Sequence, residues 1–244
     1  VGLGIIGFGA LGMLASNIAS YLLTILMILK SRDIRDVFKL CGRKEAENVA
    51  TKYIRYPKFD IPATLINIVA NQLPLLAIGK YLGLGVLGHY SLMNKTVMAP
   101  IGLISNSMLD VFKQRATNDY HKYGNCKDIY LKVLFKLLLL GIVPTCVLAI
   151  SAPEIFSFVF GKQWHDAGVM AQILAPAYLL NFLVNPLSYT FHIAQKQNLN
   201  LFLNILFLIM MALVVGVGVR ETDPFRFMVY ISIAQCINYI IYLY

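Results

Sequence analysis

Charge is what this sequence has least of. Of its 244 residues 14% are Asp, Glu, Lys or Arg, where a soluble domain carries about 25%. Acidic residues are scarcer than basic ones, 12 against 21, and there is a single Trp. So few charges cannot cover a core of this size, which excludes an ordinary soluble globular domain. Cysteine is sparse as well. Cys41, Cys126, Cys146 and Cys236 show neither zinc nor redox spacing, so they read as reduced structural thiols. The four histidines, His89, His121, His165 and His192, are scattered, and no H-E-x-x-H pair exists among them. Ser/His/Asp, paired-carboxylate and P-loop patterns are missing too. No metal, no cofactor and no enzymatic activity are expected.

Apolar residues are what is present: 58% of the chain, with a mean hydropathy of +0.68. Runs of about 18 or more apolar residues read as membrane spans. Seven occur, at 1–29, 60–79, 84–109, 129–151, 167–193, 198–219 and 225–244. As strands they would be far longer than the usual five or six residues. The chain is therefore expected to be an all-α membrane protein with seven transmembrane helices. "GLGIIG" and "GFGALG" match a dinucleotide-binding fingerprint, and Asp33 lies downstream. That fingerprint has meaning only inside a strand–helix unit, and an apolar helix follows instead. Small residues that let membrane helices approach closely explain it better.

Val1 is not an initiator methionine, and the last residues, "CINYIIYLY", lie within an apolar run. The expectation is a piece of a longer protein whose first half precedes it. Residues 30–58 carry nine Lys or Arg, 110–136 carry six, and Lys196 adds one, so sixteen of the 21 fall on one side. The alternate connections hold Lys80, Lys162, Arg220 and Arg226. The positive-inside bias places residues 30–58 and the C-terminus in the cytoplasm. The net charge of +9 then reflects topology and anionic headgroups; no groove for nucleic acid is visible. Residues 153–166, "PEIFSFVFGKQWHD", are expected as a short amphipathic turn at the outer interface, with Trp164 at headgroup level.

Polarity inside the spans is periodic. At 100° per residue, Gly88, Ser91, Lys95, Ala99, Gly102 and Asn106 share a stripe on the third helix, which Pro100 interrupts. The second helix aligns Asp60, Thr64, Asn67, Asn71 and Pro74; the fifth aligns Tyr178, Asn181, Asn185, Ser188 and His192. The last places Gln235, Asn238 or Tyr239, and Tyr242 on one side. In hydrocarbon such groups face one another or a wet cavity. Interhelical hydrogen bonding accounts for any single Asn, whereas several stripes converging with a charge favour a cavity. Lys95 is the sole formal charge between Gly83 and Leu109. Mid-bilayer placement costs roughly 2.5–3.5 kcal/mol, and the site is too deep for easy snorkelling. Either Lys95 pairs with a carboxylate elsewhere in a longer protein, or it awaits an anionic substrate such as a phosphate.

"VFGKQWHDAGVMAQILAPAYLLNFLVNPLS", residues 159–188, resembles a tract of the Wzx-type O-antigen and polysaccharide flippases. The matching residues are Phe160, Gly161, Trp164, Ala167, Leu174, Ala175, Pro176, Phe182, Pro186 and Leu187. "YPKFDIPATLINIVANQLPLLAIGKYLG" and "GHYSLMNKTVMAPIGLISNSMLDVFKQRA" resemble the opening of that family's second half, where a basic residue commonly stands at the place of Lys95. The resemblance covers about residues 56–215. It implies the multidrug/oligosaccharidyl-lipid/polysaccharide exporter superfamily, with two six-helix lobes around a central cavity. Residues 1–29 would be the last helix of the first lobe, 30–58 a cytoplasmic inter-lobe loop, and 59–244 the second lobe. The implied activity is flipping of polyprenyl-diphosphate sugars across a bacterial inner membrane; a drug/cation antiporter of the same superfamily is the alternative. The expected partners are lipid-linked oligosaccharide, membrane lipids and the missing first lobe. The expected substrate-binding residues are Lys95, Asn67, Asn71, Ser91, Asn106, Asn181 and Asn185. Cysteine labels at Lys44 or Lys122 should react only from the cytoplasm, and labels at Lys162 or Glu221 only from outside. Reversed accessibility at either group would overturn the orientation.

Overall fold

The computed structural model describes residues 9–30, 47–49, 51, 54, 56–218, 220 and 223–244. It divides into two units, Val1–Ile54 and Arg55–Tyr244. In the first, the described part of the expected 1–29 span forms helix α1, Gly9–Lys30. Most of the expected inter-lobe loop, including Lys44, lies outside the described residues.

The second unit is a bundle of helices, with no strand among the described residues. Its elements are α2 (Ile61–Ala77), α3 (Leu84–Tyr123), α4 (Lys127–Phe160), α5 (His165–Leu187), the single turn α6 (Thr190–Ile193), α7 (Gln197–Gly218) and α8 (Pro224–Leu243). Wider π turns, Tyr56–Asp60 and Ile78–Leu82, extend α2 at both ends. Local chemistry sets some boundaries. Asp223 Oδ1 accepts the Phe225 amide at 2.9 Å, and Pro224 occupies the first turn of α8; together they form a sequence-encoded helix start.

Five segments are long and apolar enough to cross a membrane: Tyr56–Leu82, Lys127–Phe160, Lys162–Ile193, Gln197–Gly218 and Pro224–Leu243. They correspond to five of the seven expected spans. The expected 84–109 span lies within α3, where Gly, Ser, Asn, His and Lys lower the hydropathy. In α1 the apolar stretch is the shorter Ile18–Ile28.

Two expectations need correction. The basic segment 110–136 is not a loop, because α3 continues to Tyr123 and α4 starts at Lys127, leaving only residues 124–126 between them. Charged residues solvate a helix without ending it. Cys126 is buried in that turn, and burial, with Asp119 adding to it, pushes its thiol up. Residues 153–166 are not one interfacial turn either. Helix α4 carries Pro153 inside it and ends at Gly161, whose φ of 104° suits glycine. A 3₁₀ turn, Lys162–Trp164, then leads into α5. Trp164 is half-buried, its ring 5.3 Å from His89 in an edge-to-face contact, and His89 Nε2 lies 3.1 Å from Gln163 O. The lone Trp therefore ties this turn to α3.

Helix α5 is the hub: α4, α3 and α8 all pack on it, while α2 pairs with α7 and α7 with α8. Its small residues Ala167, Gly168, Ala171, Ala175 and Ala177 are buried and admit close neighbours. One close approach is at Pro153. Lacking an N–H, Pro153 frees the carbonyl of Ala149 four residues back, and Gln172 Nε2 of α5 donates to that oxygen at 3.0 Å. Gly168 makes this contact possible, since a Cβ there would meet Pro153 Cα and lie 2.6 Å from Ala152 O. Gly168→Ala should therefore force α4 from α5 and cost about 1–3 kcal/mol. Thermal melting of the detergent-solubilised protein measures this; an unchanged melting temperature would contradict the close contact.

Candidate functional site

Asparagines from four helices meet around one cavity of about 250 Å³. Helix α2 supplies Thr64, Asn67 and Asn71; α5 supplies Asn181 and Asn185; α7 supplies Asn200 and Asn204; and α8 supplies Asn238, Tyr239 and Tyr242. The i, i+4 spacing on α2, α5 and α7 puts each pair on one helix face. Their amides form a chain of bonds. Asn71 Nδ2 donates to Asn67 Oδ1 at 3.0 Å, and Asn67 Nδ2 donates to Asn204 Oδ1 at 2.8 Å. Asn204 Nδ2 donates to Asn200 O at 2.9 Å, and Tyr242 OH donates to Asn200 Oδ1 at 3.1 Å. Across the cavity, Asn181 Nδ2 donates to Tyr239 OH at 2.8 Å. Asn204 and Asn238 are buried, whereas Asn71 and Asn185 are exposed. No Asp, Glu, Lys or Arg lines the space. It is a neutral cleft, able to hydrogen-bond water or hydroxyl-bearing groups but not to neutralise a charge.

Four of the seven expected site residues, Asn67, Asn71, Asn181 and Asn185, are thus brought together. Lys95, Ser91 and Asn106 are not among them. They lie on α3, which contributes nothing to this cavity. The stripes converge, but without the charge. Lys95 and Asn106 are exposed, Ser91 is half-buried, and the flanking Gly88 and Gly102 face open space. Lys95 has no ion-pair partner among the described residues. The opposite face of α3, with Tyr90, Met93, Val97 and Phe112, is buried. Tyr178 OH donates to Met93 Sδ at 2.8 Å, which holds that face against α5. Tyr178 therefore belongs to the α3–α5 contact and not to the cavity. Asn200 and Asn204 escaped the reading of the sequence, although their own i, i+4 spacing in "QNLNLFLN" was the available signal. Among the described residues no group of His, Cys, Asp or Glu is placed to hold a metal ion.

Apolar helices long enough to cross a membrane, a neutral polar cleft and a cation on an open helix face describe a helical membrane protein. Residues 1–169 match the family described as Polysaccharide biosynthesis protein, and the chain belongs to that family. Teichuronic acid biosynthesis protein TuaB of Bacillus subtilis (strain 168) is 27% identical over 152 residues, 62% of this chain and 30% of that protein. Amylovoran biosynthesis protein AmsL of Erwinia amylovora is 24% identical over 167 residues, 67% of this chain and 42% of that protein. The chain thus spans less than half the length of either relative. No solved structure matches it. The family match ends near the start of α5, so Asn181, Asn185, Asn200 and Asn204 lie beyond it.

The Asn67–Asn204 bond joins the two helices α2 and α7. Interhelical bonds in membranes couple by about 0.6 kcal/mol on average, up to about 1.7. A double-mutant cycle of Asn67→Ala and Asn204→Ala, read by reversible unfolding in detergent, should return a coupling in that range. A coupling of zero would sink the amide network.

Proposed function

We propose that this chain is part of a flippase that moves polyprenyl-diphosphate-linked oligosaccharides from the cytoplasmic to the outer leaflet of a bacterial inner membrane. The observation that carries the reading is Lys95. It stands exposed on α3, amid small and polar neighbours, and none of the described carboxylates lies within its stripe. A diphosphate crossing a low-dielectric core needs such a cation, because an unpaired anion there is costly. Ser91 and Asn106 on the same stripe would hydrogen-bond the head of the substrate. Membership in the polysaccharide biosynthesis protein family supports a glycan as the cargo, and the relatives are named for teichuronic acid and amylovoran biosynthesis. The amide cleft, with Asn67, Asn71, Asn181 and Asn185, supplies neutral hydrogen-bonding groups suited to sugar hydroxyls.

In this reading residues 59–244 form one lobe, residues 1–29 end another, and residues 30–58 connect them in the cytoplasm. Alternating access would come from rocking of the two lobes about the bound head. No covalent bond changes, so the protein acts as a transporter. A drug/cation antiporter would want a carboxylate deep in the membrane, and the described second unit offers only a cation there.

Lys95→Ala in the full-length protein should cut surface-glycan export at least tenfold while abundance and melting stay normal. Lys95→Arg should keep part of the activity, since charge is retained and donor geometry changes. Stable Lys95→Ala protein with intact export would rule out the substrate role. An unstable variant rescued by neutralising a carboxylate elsewhere in the protein would show a structural ion pair instead, because removing one partner strands the other charge.

A further inference from the structure

A second polar cavity, of about 340 Å³, lies at the basic end of the bundle, where three helix ends meet. Tyr56 comes from the turn ahead of α2, Tyr120 and His121 from the last turns of α3, and Tyr189, His192 and Gln195 from the residues around α6. Its rings are held in place. The Tyr189 and His192 centroids are 5.2 Å apart, and Tyr56 lies nearly parallel to His192, at 10° and 6.3 Å. Asp60 Oδ2 sits 3.4 Å from His192 Nδ1, and Lys113 Nζ stands 5.0 Å from the Tyr189 centroid. These charges brace the rings from outside, since no Lys, Arg, Asp or Glu lines the cavity itself.

Gln195 is the unusual member. Its φ is 55°, and it is the only non-glycine with positive φ among the described residues. Lys196 N donates to Phe191 O at 2.8 Å, and Gln195 N donates to His192 O at 3.2 Å. This pair of bonds is the Schellman ending of a helix, whose left-handed position ordinarily goes to glycine. A glutamine there carries a backbone cost that no hydrogen bond of its side chain offsets in this structure. Strain of this kind clusters at ligand sites, and here the strained residue lines a cavity of ring faces.

We propose that this cavity is a saccharide-binding subsite that takes one sugar ring of the lipid-linked oligosaccharide on the cytoplasmic side; it rests on the flippase reading. A pyranose presents a flat C–H face and a rim of hydroxyls. The Tyr189 and His192 rings match the face, while the Gln195 amide, Tyr120 hydroxyl and His121 ring match the rim. The lining offers no Lys or Arg to attract the diphosphate, so it favours the sugar.

The test uses the full-length protein and the water-soluble oligosaccharide released from the host's lipid-linked pool by mild acid. Binding is read by calorimetry, and glycan export by complementation of a strain lacking the gene. Gln195→Gly should melt at the same or a higher temperature, because glycine suits the turn, yet bind the saccharide at least tenfold more weakly and export less. Tyr189→Ala should lose binding, and Tyr189→Phe should keep most of it. Lys95→Ala should abolish export while binding the uncharged saccharide within twofold of wild type. Export by wild type with no saturable binding, or Gln195→Gly that binds and exports normally, overturns the subsite and leaves the flippase reading standing. Saccharide binding that Gln195→Gly weakens, in a wild-type protein that cannot support export, overturns the flippase reading and keeps the subsite.

Discussion

Backbone polar groups placed in hydrocarbon must find their partners within the protein, and the packing around α5 depends on that constraint. Water cannot repair a carbonyl freed at bilayer depth, so neighbouring helices must. Pro153 opens the ladder of α4, and Gln172 closes it from α5, in a contact that only Gly168 leaves room for. Between α8 and α5, Ser232 Oγ donates to Ile173 O at 2.8 Å, a side-chain bond added to the helix ladder of α5. Pro153 thus fastens α4 to α5 through a hydrogen bond that an unbroken helix would not make. Small side chains then allow the approach that the bonds require.

Much of this was legible in the sequence, and the remainder failed for physical reasons. The apolar runs gave helix identity, since hydrocarbon leaves backbone few other solutions. The middles of the stripes on α2 and α5, Thr64, Asn67 and Asn71 with Asn181, Asn185 and Ser188, do share one cavity, because helical periodicity fixes a face, whereas Asp60, Pro74, Tyr178 and His192 at their ends do not line it. Periodicity says nothing about which neighbour that face will meet. Lys95 was therefore expected among the asparagines and is found on a helix that packs elsewhere. Asn200 and Asn204 were overlooked within the most apolar of the helices, where a short polar face is easily discounted. Helix ends were misplaced wherever charge was taken as a boundary, as between residues 110 and 136. A solvated helix tolerates charge, and backbone geometry decides its end, as at Gly161.

Neutral polar groups and the Lys95 cation are kept apart in this unit. The amide cleft is built from groups that largely satisfy one another, so it can open to a ligand only by exchanging bonds of similar strength. Under the proposed function, such a cleft would favour weak, reversible engagement of a hydroxyl-rich cargo. The cation on α3 has no comparable internal partner among the described residues, and an anion approaching it gives up no existing ion pair. Strong attraction and weak, permissive contact thus reside on different helices.

Helix α3 runs 40 residues without interruption, about 60 Å at 1.5 Å per residue, or twice the thickness of the hydrocarbon core. Lys95 precedes Pro100, while Tyr120 and His121 lie near the far end. The 23 residues beyond Pro100 make an arm of about 35 Å. Ten degrees of added bend at Pro100 would sweep the tip of that arm through about 6 Å. Small reorientations in the membrane would thus be magnified at the basic surface, making α3 a mechanical lever with its fulcrum a few residues from Lys95.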